Sequence, residues 1–70
     1  EVGMWVRMLN NGNYKVVSDL TGHIFEAEQR ECGIVIEASV LNEIADGSFE
    51  EPGLFMFYEG QYEVIADEAD

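Results

Sequence analysis

Apolar and polar residues alternate along much of this chain, and that period of two is typical of β-strands. Residues 4–19 and 54–67 share one pattern, in which an apolar run, a glycine turn signal and a second alternating run follow one another. The first of these segments contains Asn-Gly, the strongest short-range signal for a hairpin with a two-residue turn. The pattern therefore predicts two hairpins, which turn at Asn11-Gly12 and at Glu59-Gly60.

The middle of the chain predicts two further strands and one short helix. Residues 22–28 and 32–38 are apolar-rich runs on either side of a polar turn at residues 29–31. Ser39 is a candidate N-cap for about two turns of helix over residues 40–45. Strands therefore outnumber helices, and the helix interrupts them once.

This order of elements predicts a mostly β fold in a single acidic domain over residues 1–70. The expected architecture is a small antiparallel barrel or two-layer sheet of SH3-like size, with about five or six strands and a short helix near residues 39–45. Met4 is a candidate natural start, so residues 1–3 are left out of this prediction.

Both faces of the predicted hairpins are substantially apolar, so alternation alone does not decide which face is buried. We expect the consistently apolar face of each strand to form the core, with these residues among the most buried: Val6, Val17, Ile34, Ile36, Leu54 and Ile65. The opposite face carries an aromatic stripe that includes Trp5, Tyr14, Phe55, Phe57 and Tyr62. The stripe has two interpretations, either burial on the second side of the sheet or a partly exposed surface for a partner.

Net charge is the least ordinary feature of the composition. Fifteen Asp and Glu residues face three Lys and Arg residues, which gives a formal net charge of −12 at pH 7. Such a surface repels nucleic acid and anionic membranes and attracts basic partners. The same excess of acid also fits simple solubilisation. We therefore expect no direct contact with nucleic acid or membranes, while recognition and solubility remain alternative reasons for the charge.

Few residues can carry metal or nucleophilic chemistry. His23 and Cys32 are the only histidine and cysteine, whereas structural zinc takes four ligands, most often from these two residue types. Residues 46–51 alternate oxygen-bearing side chains but lack the full calcium-loop pattern. A lone cysteine cannot form an internal disulfide, which favours a reducing cytoplasm. The sequence predicts a non-enzymatic protein without a metal or cofactor.

The leading hypothesis is a small inhibitor or modulator that docks on the basic surface of a nucleic-acid-handling protein, such as a nuclease, with carboxylates in place of phosphates. Small acidic proteins of this kind are often encoded by phages and mobile elements, and this origin is suggested by analogy alone. The predicted contacts are six carboxylates and two aromatic anchors: Glu26, Glu28, Glu31, Glu37, Glu50, Glu51, Trp5 and Tyr14. The alternative is an assembly module whose apolar hairpin faces bury against an enzyme subunit or a second copy, as a monomer or a homodimer in solution.

Overall fold

The structure is a computed structural model that describes residues 3–16 and 18–67, except for the side chain of residue 67. Five antiparallel strands form one sheet, and one short helix separates the third strand from the fourth. The elements are β1 (Gly3–Met8), β2 (Ile24–Arg30), β3 (Gly33–Glu37), α1 (Ala38–Ala45), β4 (Leu54–Tyr58) and β5 (Tyr62–Asp67). The predicted mostly β class with a single short helix is confirmed for the described residues.

β4 and β5 stand at the two ends of the strand order β4-β3-β2-β1-β5. Residues 59–61 alone connect them, and a connection this short spans only about 10–15 Å. The sheet must therefore curve until its two edge strands approach each other. Within the described residues no ladder joins β4 to β5, so the sheet resembles a barrel that has not closed.

The predicted pairing of both hairpins is wrong, although the chain turns at both glycines. At Gly12, where φ is 66°, no strand follows the turn in the described residues. β1 pairs with β2 on one side and with β5 on the other, so neither of its edges is left for residues 14–19. At Gly60, β4 and β5 flank the turn as predicted, but each pairs elsewhere, β4 with β3 and β5 with β1.

The central elements follow the prediction more closely. β2 and β3 form an antiparallel pair whose register includes Arg30↔Gly33, so the turn lies at residues 31–32. Ser39 is not the N-cap, because α1 has already begun at Ala38. The Ala38 N–H instead donates to the backbone oxygen of Gly53 at 2.9 Å, which satisfies a helix terminus that no side chain caps.

Inward-pointing residues of β1 to β4 form the core together with α1, Leu20 and Phe49, and Tyr62 of β5 packs against it partly buried. Val6, Ile34 and Ile36 are at most 1% exposed, as predicted. Leu54 and Ile65 are 55% and 42% exposed, so their predicted burial is wrong. Val17 lies outside the described residues. The face of β4 that carries Leu54 points outward. The opposite face lies on the core, where Phe57 of the aromatic stripe is fully buried.

The described residues between β1 and β2, 9–16 and 18–23, belong to a long connection, and part of it packs into the core. Leu20 is fully buried, and its N–H donates to Asn11 Oδ1 at 2.7 Å. Tyr14 donates from its hydroxyl to the backbone oxygen of Met56 in edge strand β4 at 2.9 Å. A hydrogen bond from the Thr21 N–H lowers the pKa of the Asp19 carboxyl. The connection thus replaces the predicted second strand with a folded loop that lies against β4.

Candidate functional site

Ladder register separates the sheet into an inner face, which lies on the core, and an outer face. Residues directly opposite each other in an antiparallel pair share a face. Trp5 lies opposite Glu26, Glu28 lies opposite Val35, and Glu37 lies opposite Leu54. These six residues belong to the outer face, and all of them except buried Val35 are at least partly exposed.

A depression opens on the outer face where β2 and β3 stop pairing. Their described register ends at Glu28↔Val35, and Glu26 and Glu37 each lie two residues beyond that last pair. The depression measures about 330 Å³, which is near the lower end of the range for ligand pockets. Three carboxylates and three apolar side chains contribute to its lining: Glu26, Glu28, Glu37, Val35, Val40 and Leu54.

A second depression of about 690 Å³ adjoins the first, and the two share Glu37 and Leu54. Residues between α1 and β4 supply its far side, including Glu51 and Pro52. We call the two depressions together the acidic groove. Four of the six predicted carboxylates line it: Glu26, Glu28, Glu37 and Glu51.

Asn42 of α1 positions the Glu51 side of the acidic groove. Its amide Nδ2 donates to the backbone oxygen of Phe49 at 2.8 Å and to Glu51 Oε2 at 2.7 Å. Its Oδ1 accepts from the Phe49 N–H at 3.1 Å. Since Phe49 is buried in the core, these bonds tie the loop before β4 to the helix and fix where the Glu51 carboxylate lies.

Charge in the acidic groove is only partly compensated within the described chain. Glu28 forms an ion pair with Arg30 at 3.0 Å. The side chains of Glu26 and Glu37 form no hydrogen bond or ion pair with the described residues, and both residues are exposed. Like charges that line one depression repel each other. A cationic side chain between Glu26 and Glu37 would relieve that repulsion.

The remaining predicted contacts are not brought into the acidic groove. Glu31 lies in the turn between β2 and β3, at the end of the sheet away from Glu37. Glu50 is exposed in the loop before β4 and does not line either depression. Trp5 is 39% exposed on the outer face beside Glu26, so an anchor role for it stays a prediction.

Tyr14 lies on the core side of the sheet. Its ring makes edge contacts with Phe49, Phe55 and Phe57 at centroid distances of 5.5, 5.6 and 5.2 Å. Such contacts and the hydroxyl bond to Met56 account for the residue structurally. We therefore leave Tyr14 out of the candidate site. The aromatic stripe divides into buried Phe57, exposed Trp5, and three rings that pack partly buried against the core: Tyr14, Phe55 and Tyr62.

Sequence reasoning missed the apolar residues of the acidic groove. Val35 and Val40 had no predicted contact role, and Leu54 was placed in the core. The sequence contained one signal for the exposure of Leu54. Both faces of β4 are apolar, with Leu54 on one face and Phe55 and Phe57 on the other. The larger aromatic side chains fill the core, which leaves Leu54 outside.

Other candidate chemistry is dispersed in the structure. His23 precedes β2 and Cys32 follows it, so a seven-residue strand keeps them roughly 20 Å apart. Among the described residues, no group of three or more His, Cys, Asp and Glu side chains could hold a metal ion. The described part of the chain also contains no helix that is long and apolar enough to cross a bilayer.

In comparisons with known proteins, no family model matches the chain, and no curated protein or solved structure matches it significantly.

Proposed function

We propose that this protein is a small non-enzymatic modulator that binds a basic surface of another protein through its outer face. The observation that carries the proposal is the acidic groove, in which four carboxylates and several apolar side chains line two adjoining depressions. Charge complementarity accelerates encounter, while desolvated apolar contacts supply much of the retention. The acidic groove offers both kinds of interaction on one surface.

Nucleic-acid-handling proteins are the partner class that this chemistry favours, because they neutralise phosphates with clustered Lys and Arg. A modulator bound there would hold carboxylates where phosphates otherwise lie and would compete with DNA or RNA. A nuclease inhibited in this way is one example. A cytoplasmic location and a phage or mobile-element origin belong to the same proposal.

Carboxylates outside the acidic groove act differently in this proposal. They occur at distant points of the fold, among them Asp19 in the long connection, Glu43 in α1 and Glu59 in the β4–β5 turn. Charge spread in this way maintains solubility and adds long-range attraction to any basic partner without directing it. Orientation on the partner therefore depends on the acidic groove.

An assembly module is the second candidate, and exposed apolar residues favour it. Ile24, Leu54 and Tyr58 are 50%, 55% and 47% exposed, and all three lie on the outer face. Apolar surface of this kind is typical of protein contacts. In that case the outer face would bury against an enzyme subunit or a second copy, and the acidic charge would be incidental.

Charge reversal distinguishes the two candidates. The double variant E26K/E37K reverses two groove carboxylates, and E31K/E59K reverses two turn carboxylates at the opposite end of the sheet. For a partner captured from the source cell and purified, we expect E26K/E37K to slow association at low salt by about tenfold or more relative to E31K/E59K. Stopped-flow association rates across a salt series provide the measurement.

Competition with DNA completes the test of the proposed function. The modulator should be displaced by added DNA and should lose affinity steeply as salt rises. An assembly module should be nearly indifferent to both. Binding that neither salt nor DNA changes would contradict the proposal and favour the second candidate.

A further inference from the structure

We propose that the acidic groove holds a segment of the partner in which an Arg or Lys side chain lies next to an apolar one. This inference rests on the proposed function and goes further, because it assigns a type of side chain to each depression. The basic side chain occupies the depression between Glu26 and Glu37. Its apolar neighbour covers Leu54 in the adjoining one.

The first depression suits a long basic side chain. Val35 and Val40 contribute apolar surface to its lining, and the carboxylates of Glu26 and Glu37 belong to the same lining. Arg and Lys bury their aliphatic stems along apolar surface while their charged heads stay near water. Arg fits best, because its planar guanidinium can donate to two carboxylates at once.

The second depression suits an apolar side chain next to the basic one. Leu54 and Pro52 form its apolar part, and Leu54 is more than half exposed. Because Leu54 and Glu37 line both depressions, the two side chains of the partner would be close neighbours. The Glu51 carboxylate, which Asn42 holds in place, borders the far side and favours a further positive charge there.

Charge decides between the possible occupants. A second copy of this chain also carries a net charge of −12, so pairing two outer faces would oppose like charges. Nucleic acid and anionic membranes are repelled for the same reason. A basic protein segment is the occupant whose charge complements the acidic groove and whose apolar side chain can cover Leu54.

Peptide binding tests this inference without a partner protein. The probe is a short fluorescein-labelled peptide of Lys and Arg residues around one central Leu, and a second probe has Ser in place of that Leu. Fluorescence anisotropy at low salt measures both. The variants are E26Q/E37Q, L54S and the matched control E31Q/E59Q, which removes the same number of charges outside the acidic groove.

We expect E26Q/E37Q to weaken binding of both probes by about tenfold, while E31Q/E59Q weakens it only about twofold. L54S should weaken the Leu probe by about tenfold and leave the Ser probe nearly unchanged, because only the Leu probe loses an apolar contact. Circular dichroism should show all variants folded, since every altered residue is exposed.

Three results would overturn the inference: no binding of the Leu probe by the unaltered protein, equal weakening by both charge pairs, or an equal effect of L54S on the two probes. Self-association that L54S abolishes, seen by sedimentation, would also overturn it in favour of a second copy. Failure here leaves the salt and DNA competition test in place, so the proposed function can stand when this inference falls.

Discussion

Replacing Phe57 by alanine is expected to lower the free energy of unfolding by about 3–5 kcal/mol. Phe57 is fully buried, lies opposite Ile34 in the β3–β4 ladder and contacts the Tyr14 ring. A domain of this length has a total stability of only roughly 4–10 kcal/mol. F57A should therefore be largely unfolded at moderate urea concentrations, as urea titration followed by circular dichroism would show.

Leu54 in the same strand supplies the matched control. L54A should change the free energy of unfolding by about 0.5 kcal/mol or less, because Leu54 points outward and is 55% exposed. The comparison tests which face of β4 lies on the core. A greater loss of stability in L54A than in F57A would contradict the described face and favour the burial of Leu54 that the sequence predicted.

Replacing Gly33 by alanine is expected to cost about 3 kcal/mol or more, as an extreme case of overpacking. A Cβ atom at Gly33 would lie 2.1 Å from the backbone oxygen of Phe57 and 3.1 Å from the Tyr58 Cα. Backbone atoms in a paired strand cannot move aside as a flexible side chain can. G33A should therefore push β4 away from β3, with faster amide hydrogen exchange along β4.

Gly22 is the control for this substitution. A Cβ atom there meets no other atom within 4 Å, but Gly22 has a φ of 86°. G22A should therefore cost about 1–2 kcal/mol through backbone strain alone, with exchange in β4 unchanged. Similar stability losses in G22A and G33A, with no change in β4 exchange, would show that close approach of the two strands is not the reason for glycine at position 33.

Local sequence patterns predicted which helices and strands form better than they predicted which strands pair with each other. Alternation located the five strands but also predicted one after Gly12 that the described residues do not form. The Asp46-Gly47 end of α1 follows from residues that adopt positive φ, 56° and 88° here. Pairing depends on competition among strands, which no local pattern contains. The chain turns at Asn11-Gly12, but both edges of β1 pair with other strands, β2 and β5. Strand order therefore could not be read from the hairpin signals.

The candidate site was predictable in its charges and not in its shape. Glu26 and Glu28 alternate with inward Phe25 and Ala27, so their exposure follows from the sequence. The acidic groove, however, lies where the described β2–β3 register ends, at Glu28↔Val35, and no local sequence pattern predicts where a ladder ends. The exposure of Leu54 was also not predictable, because the two faces of β4 are equally apolar. Which face is buried depends on how well its side chains fill the core, and Phe57 fills it.

Chemical-shift mapping is the most direct test of the central claim that the outer face binds a basic protein surface. Titrating the isotope-labelled protein with the Lys/Arg peptide that carries the central Leu should move amide signals around the acidic groove, with the largest shifts at Glu26, Glu37, Val40 and Leu54. Signals of the turn residues Glu31 and Glu59 should move little. Equal shifts at those turn residues, or shifts concentrated in residues 9–23, would contradict the account.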